Sequence, residues 1–173
     1  AYVEFWPDPL IPGRGARYGQ RTELRLAPTA TVLYRDVLMA GRVARGERFA
    51  FDVLVSETRG MMQGGDLLFE DVLRLEPGSL NFDANVLLGG YDVLGTLYAL
   101  NVGLSWLDLA ETLDAYFRQV EPVYAGVSIL PGRAGLVCRI LGRCTGPVLQ
   151  ALETARALIR RELGKPTAAP MRK

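Results

Sequence analysis

The feature that most constrains this chain is a succession of apolar runs of strand length, separated by short segments of turn-forming residues. ATVLYRDVLM (30–39), FAFDVLVSE (49–57) and DLLFEDVLRL (66–75) are such runs. AGRVARGER joins the first two and GMMQGG the next two, both rich in glycine. QRTELRL (20–26) alternates Thr22, Leu24 and Leu26 with charged neighbours, the pattern of a half-buried strand. AYVEFWPDP also opens directly in strand-like sequence, without a methionine. Consecutive strands with short connections exclude the strand–helix alternation of a Rossmann fold and predict an antiparallel or coiled all-β unit. Residues 1–104 are thus expected to be mostly β.

The final third changes character. In SWLDLAETLDAYFRQV, from Ser105, the residues Trp106, Leu109, Leu113, Phe117 and Val120 recur at helical spacing. Ser105 with Asp108 resembles a capping box, and Pro122 closes the element. VYAGVSIL (123–130) and GLVCRIL (135–141) flank PGRA and predict a hairpin. A second helix is predicted from Thr145 as its cap, with Val148, Leu152, Ala155 and Ile159 on one face and Gly164 as its stop. The tail TAAPMRK is expected to be loose. Residues 105–173 are therefore read as two helices plus a hairpin. From Val86 to Leu107 the sole charge is Asp92, but glycines and polar residues break the run, so no membrane span is expected.

The length, 173 residues, suits one domain able to bury a core. The chain has no histidine, which excludes Ser-His-Asp and Cys-His catalysis and His-based zinc sites. The two cysteines, Cys138 and Cys144, are too few for a closed zinc site or a disulfide scaffold. Cys138 reads as a buried strand residue, and the setting as reducing and cytoplasmic, with no secretory leader. A net charge of +1 gives no global attraction to nucleic acid or anionic membrane. The charge is nonetheless uneven: residues 77–117 carry five acids and no base, and residues 118–173 ten bases against three acids. Helix-end preferences and solvated faces account for this; the sharper alternative is a basic docking surface on the last helix. The bases are arginines except Lys165 and Lys173.

Carboxylates carry what chemistry remains. Glu4, Asp36, Glu47, Asp52, Glu70 and Asp71 lie in or beside predicted strands. Paired carboxylates run glycoside hydrolysis without histidine, so a carboxylate-dependent hydrolase on a β scaffold is one reading. They also make weak oxygen-rich metal stations, or pair with nearby arginines on exposed faces. The glycine-rich stretches PGRGARYG and QGGD match no phosphate-binding motif and are read as turns.

EFWPDPLIPGRGARYGQRTELRL, AGRVARGERF, LLFEDVLRL, VLGTLY and AGVSILPGRAGLVCRILG, followed by a final helix and GKP, resemble in that order the urease accessory protein UreD family, called UreH in some systems. The resemblance runs over essentially all 173 residues. It implies a mainly β fold, a UreD-like β-helical coil of strands with two α-helices in the C-terminal third. It implies a chain without its own catalysis that binds apo-urease and the helical accessory protein UreF, and through UreF the GTPase UreG. Nickel would be delivered to urease through a water-filled tunnel, with transient Ni2+ passage and no tightly bound cofactor. Glu47 and Glu70 fall on acidic positions of the family pattern and are candidate tunnel carboxylates, with Glu4 a third. Family members are longer at the N-terminus, so residues 1–173 are expected to be one UreD-like domain lacking its N-terminal region. A histidine-free conduit suits passage, because imidazole and thiolate hold late first-row ions tightly.

Overall fold

The computed structural model describes residues 1–79 and 88–167. Among the described residues, eight strands form two open sheets. The first sheet contains β1 (Tyr2–Phe5), β3 (Thr31–Met39), β6 (Val93–Leu100), β8 (Gly135–Gly142) and β7 (Val123–Ile129), in that spatial order. The second contains β2 (Arg17–Leu26), β4 (Val53–Met62) and β5 (Leu67–Leu75). Two helices follow the sequence reading closely: α1 (Leu107–Phe117) and α2 (Thr145–Glu162). No helix among the described residues is long and apolar enough to cross a membrane. Residues 168–173, most of the expected loose tail, lie outside the described residues.

The mainly β architecture with two helices in the final third is as expected, but the arrangement is two open sheets rather than a β-helical coil. From β1 to β4 the chain alternates between the sheets, so β1 pairs β3 and β2 pairs β4, both parallel. After β4 the connections shorten into hairpins, β4–β5 and β7–β8, and every later pairing is antiparallel. A two-strand hairpin returns the chain to its own sheet and ends the winding. The PGRA hairpin turn is present as a short 3-10 turn at Pro131–Arg133.

β3 is the central element. It is buried on both faces, the reason its sequence reads as a near-continuous apolar run. Leu33 and Val37 face the helices, in one core with Leu109, Leu113, Leu152 and Ile159. Tyr34 and Leu38 face the second sheet. The predicted face of α2 is the buried one: Val148, Leu152, Ala155 and Ile159 have no exposed surface. Glycines in the strands beneath let this helix approach. A Cβ on Gly95 would sit 2.8 Å from Val148 and 2.9 Å from Leu152, and one on Gly142 2.5 Å from Val148.

Each helix cap is one residue from the expected one, later for α1 and earlier for α2. α1 begins with Trp106 at the cap position and no side-chain cap bond. The buried Trp106 indole N–H instead donates to the Asn101 carbonyl at 2.9 Å, so packing fixes the start. Cys144 precedes α2, and the Thr145 hydroxyl is turned to the Met39 sulfur at 3.6 Å. Gly164, at φ +62°, closes the helix as expected.

An ionic cluster fastens β1 to α2. Glu4 accepts from Arg156 Nε at 2.9 Å, from Arg160 Nη1 at 2.5 Å and from the Tyr2 hydroxyl. The Trp6 indole N–H donates to Glu153 at 2.6 Å, and the guanidinium carbons of Arg35 and Arg156 lie 5.1 and 5.0 Å from its ring centre. Arg160 and Arg156, part of the basic C-terminal charge, are therefore turned inward, and Lys165 sits 5.3 Å from the Tyr2 ring.

Two predictions follow from this packing. Leu152→Ala opens a cavity under α2 and is expected to cost about 2–5 kcal/mol in a denaturant titration. Burial pushes the Glu4 carboxyl up, but hydrogen bonds from Arg156, Tyr2 and Arg160 outweigh it and hold the group below its ordinary 4.5. The unfolded chain then binds this proton first on acidification. Stability contributed by Glu4 is present above 4.5 and is lost as pH falls below it. Glu4→Gln is expected to flatten the melting temperature against pH in that window; an unchanged slope contradicts the assignment.

Candidate functional site

The inter-sheet core is divided. At one end Leu26, Tyr34, Phe69, Tyr98 and Leu100 pack together, with Tyr34, Tyr98 and Phe69 stacked in sequence. At the other end Leu38, Phe51, Leu54 and Leu75 form a second apolar cluster. Between them lies a cavity of about 510 Å³ with a polar belt. The belt follows from strand register. Asp36 on β3 is opposite Thr96 on β6, Thr96 opposite Arg139 on β8, and Arg139 opposite Gly126 on β7. The facing sheet contributes Ser56, Thr58 and Asp71. Over β7 the cavity-side residues Tyr124, Gly126 and Ser128 are exposed, so the cavity opens there.

The two aspartates of the belt are held differently. Asp71 accepts from Arg139 and from the Tyr98 hydroxyl. Burial and the Asp71 carboxylate together push the Tyr98 phenol well above its ordinary range. Asp36 accepts from Ser56 Oγ at 3.2 Å and Gln20 Nε2 at 3.3 Å. Burial raises its carboxyl above the ordinary 3.8, and these hydrogen bonds recover part of the shift. Among the described residues, Asp36 is the one carboxylate shielded from full exposure that no basic side chain reaches within 4.0 Å. A desolvated carboxylate without a cation is a poor structural element and a usable ligand.

The structure keeps the three glutamates named from sequence apart. Glu4 lies in the β1–α2 cluster described above. Glu47, on the loop after β3, accepts from Arg42 Nε and Nη2 at 2.7 and 2.9 Å and from the Arg14 backbone N–H at 3.3 Å. The Arg42 guanidinium holds it below the usual carboxylate range. Glu70 on β5 pairs with Arg59, directly opposite it on β4. It neighbours Asp71 in the strand and so points to the other face. Among the described residues no three His, Cys, Asp or Glu side chains are grouped to hold a metal ion. Cys138 is fully buried, and burial pushes its thiol up to about 12; Cys144 is exposed.

Asp36 and Asp71 stand among the strand carboxylates read from the sequence, but the tunnel candidate in LLFED is Glu70 and not Asp71. Alternation carried the missing signal: Phe69, Asp71, Leu73 and Leu75 share a face, and that face is the one turned to the first sheet. The Arg-Asp pair inside the apolar run TVLYRDVLM was a second signal. A charged pair in a strand buried on both faces sends one charge to each side, Arg35 to the helices and Asp36 to the cavity.

The UreD urease accessory protein family model matches residues 1–173. A urease accessory protein UreD of Cenarchaeum symbiosum is 33% identical over 94% of this chain and 57% of its own length. A urease accessory protein UreD 2 of Streptomyces griseus is 38% identical over 100% of this chain and 59% of its own. One from Brucella canis is 34% identical over 94% of this chain and 55% of its own. The chain thus spans under three-fifths of the length of these relatives. With the family model matched from end to end, the chain belongs to the UreD family of urease accessory proteins.

Proposed function

We propose that this chain is a non-catalytic scaffold of cytoplasmic urease maturation, which binds apo-urease and UreF, reaches UreG through UreF, and lets nickel pass toward the urease active site. The observation that supports it is the cavity with Asp36 in its wall. A conduit needs ligands that hold a divalent ion and release it. One carboxylate with the Ser56, Thr58 and Thr96 hydroxyls is an oxygen donor set that late first-row ions leave more readily than imidazole or thiolate. Asp71 is engaged by Arg139 and Tyr98, so it shapes the passage and Asp36 is the residue that contacts the ion. Glu47, Glu70 and Glu4 remain candidate stations of a longer route. Each would have to exchange an arginine for the ion, which makes it weaker than Asp36.

The same observation disfavours the hydrolase reading. Glycoside hydrolysis uses two carboxyl groups with separate duties. Here one of the two belt aspartates is already bound by a guanidinium and a phenol.

Asp36→Asn separates transport from folding. An acid with a raised folded value stabilises least once both states are ionised, so the cost of the Asp36 charge is full at pH 7 and vanishes below 3.8. Asp36→Asn is expected to raise the melting temperature at pH 7, with no gain below pH 3.8. In nickel-limited cells the same variant is expected to lower urease activation several-fold while the complex with UreF still assembles. Undiminished activation removes Asp36 from the route. Failure of the wild-type protein to co-purify with UreF removes the partner assignment.

A further inference from the structure

β7 ends the first sheet, and among the described residues nothing pairs with its outer edge. An open row of N–H and C=O groups invites another strand, so sheet edges are ordinarily protected by shortness, charge or a bulge. The other three edges here carry such protection. β1 has four residues, and its Glu4 is held by arginines of α2. β2 carries Arg17, Arg21, Glu23 and Arg25. β5 carries Glu70, Asp71 and Arg74, and its pairing with β4 shifts register at Gly60/Met61. β7, VYAGVSI, has no charge and no proline, and its register with β8 runs unbroken. Its Tyr124 is 68% exposed, more than any other large apolar side chain among the described residues.

Register decides which backbone groups face outward. In an antiparallel pair, residues alternate between bonding to the partner strand and pointing away from it. Leu130 N–H donates to the Gly135 carbonyl at 2.9 Å, and Ser128, Gly126 and Tyr124 follow in step against Val137, Arg139 and Leu141. These residues spend their backbone groups on β8, so Val123, Ala125, Val127 and Ile129 present theirs to the outside. The strand is self-complementary about Gly126. Set antiparallel to a second copy with Gly126 facing Gly126, Ala125 meets Val127 and Val123 meets Ile129, through about eight N–H to C=O bonds. The side chains of these four already pack, half-buried, against the helix-side core, so pairing joins the two cores. On the other face the large Tyr124 meets the small Ser128. Glycine stands at the twofold axis, where opposed Cα atoms approach to about 4.5 Å. Charge selects the antiparallel direction. Glu121 precedes the strand and Arg133 follows it; both are exposed, and among the described residues neither is in an ion pair within 4.0 Å. Antiparallel pairing brings the acid of each copy toward the base of the other, whereas parallel pairing sets like against like.

We infer that β7 is a homodimer interface: two copies of this chain pair β7 antiparallel about Gly126, and their five-stranded sheets become one continuous sheet. Both cavities open over β7, so the two mouths lie beside the twofold axis. The pairing is independent of nickel passage and needs no other protein. Sedimentation of the chain across a concentration series tests it, and a monomer–dimer equilibrium is expected. Val127→Pro removes one outward N–H from each copy and spares the bonds to β8, a place where an edge strand tolerates proline. It is expected to weaken the dimer roughly tenfold or more and to leave the fold intact by circular dichroism. Leu67→Lys, at an exposed apolar residue on the β5 edge, is expected to leave the dimer unchanged. Gly126→Cys gives the register directly. A Cβ there meets no atom within 4 Å, and the opposed Cα atoms are within reach of a disulfide. In a Cys144→Ser background, which removes the exposed native thiol, Gly126→Cys is expected to give a disulfide-linked dimer on oxidation. Ser128→Cys in the same background is expected to give none, because Ser128 faces Tyr124. A chain that is monomeric at every concentration leaves β7 to some other strand and overturns the pairing. A dimer that Val127→Pro does not weaken, or that Gly126→Cys does not link, forms through another surface and overturns it as well.

Discussion

The structure depends on β3 being buried on both of its faces. A strand in that position must satisfy two cores at once, and its side chains alternate between them. The odd-numbered residues Leu33, Arg35 and Val37 go to the helices; the even-numbered Tyr34, Asp36 and Leu38 go to the second sheet. Every other placement follows from that division. α2 must lie flat on the first sheet to cover Leu33 and Val37, which requires Gly95 and Gly142 beneath it. The three-stranded sheet must lie over the opposite face, where Tyr34 and Leu38 each anchor an apolar cluster. Asp36 falls midway between these anchors, and a charged side chain there prevents the two clusters from merging.

The cavity is therefore a consequence of sequence order in one strand. Had position 36 been apolar, the two inter-sheet clusters would close into a continuous core, as sheet packing ordinarily does. With aspartate there, the neighbours in register are polar as well: Thr96 beside it, Arg139 beyond, Ser56 and Thr58 across the gap. Buried polar groups without partners are costly, so such a belt persists where each member finds another or finds solvent. Asp71, Tyr98 and Arg139 satisfy one another. Asp36 is satisfied only by uncharged donors, the Ser56 and Gln20 side chains and the Val37 backbone N–H, and the cavity is open to solvent at β7.

Much of this was legible in the sequence and some was not, for physical reasons that differ by residue. The strands at 20–26 and 66–75, both helices and the β7–β8 hairpin could be read because each buries one face with a fixed period, and the strand at 30–39 because its apolar run has strand length and is bounded by turn residues. The buried face of α2 was correct at all four positions named. Strand β6 was harder, since VLGTLYAL is apolar throughout and interrupted by Gly95, so periodicity could not separate it from its flanks. The parallel pairings of β1 with β3 and β2 with β4 were invisible, because strand partners depend on which sheet the chain enters next. The helix caps were missed where Trp106 and Thr145 found tertiary partners that outweighed local capping. The glutamates were chosen from a resemblance, and charge alone does not say which face of a strand a carboxylate occupies.

The arginines explain why, among the described carboxylates shielded from full exposure, one is left without a cation. Nearly all its basic residues are arginine, whose planar fork grips a carboxylate at two points and holds it in place. Arg42 grips Glu47 in this way, and Glu4, Glu57, Glu70, Asp71 and Asp92 are each paired with at least one arginine. A carboxylate so held contributes to position and must give up its arginine before it can take a passing cation. Arg35 is the arginine next to Asp36 in sequence and does not reach it. Strand alternation turns it to the opposite face, where it donates to the Pro7 carbonyl at 2.6 Å and packs on Trp6. The same pleat that buries both charges in one strand also keeps them apart. Asp36 is open to a cation because its nearest arginine in the chain is committed to the other core.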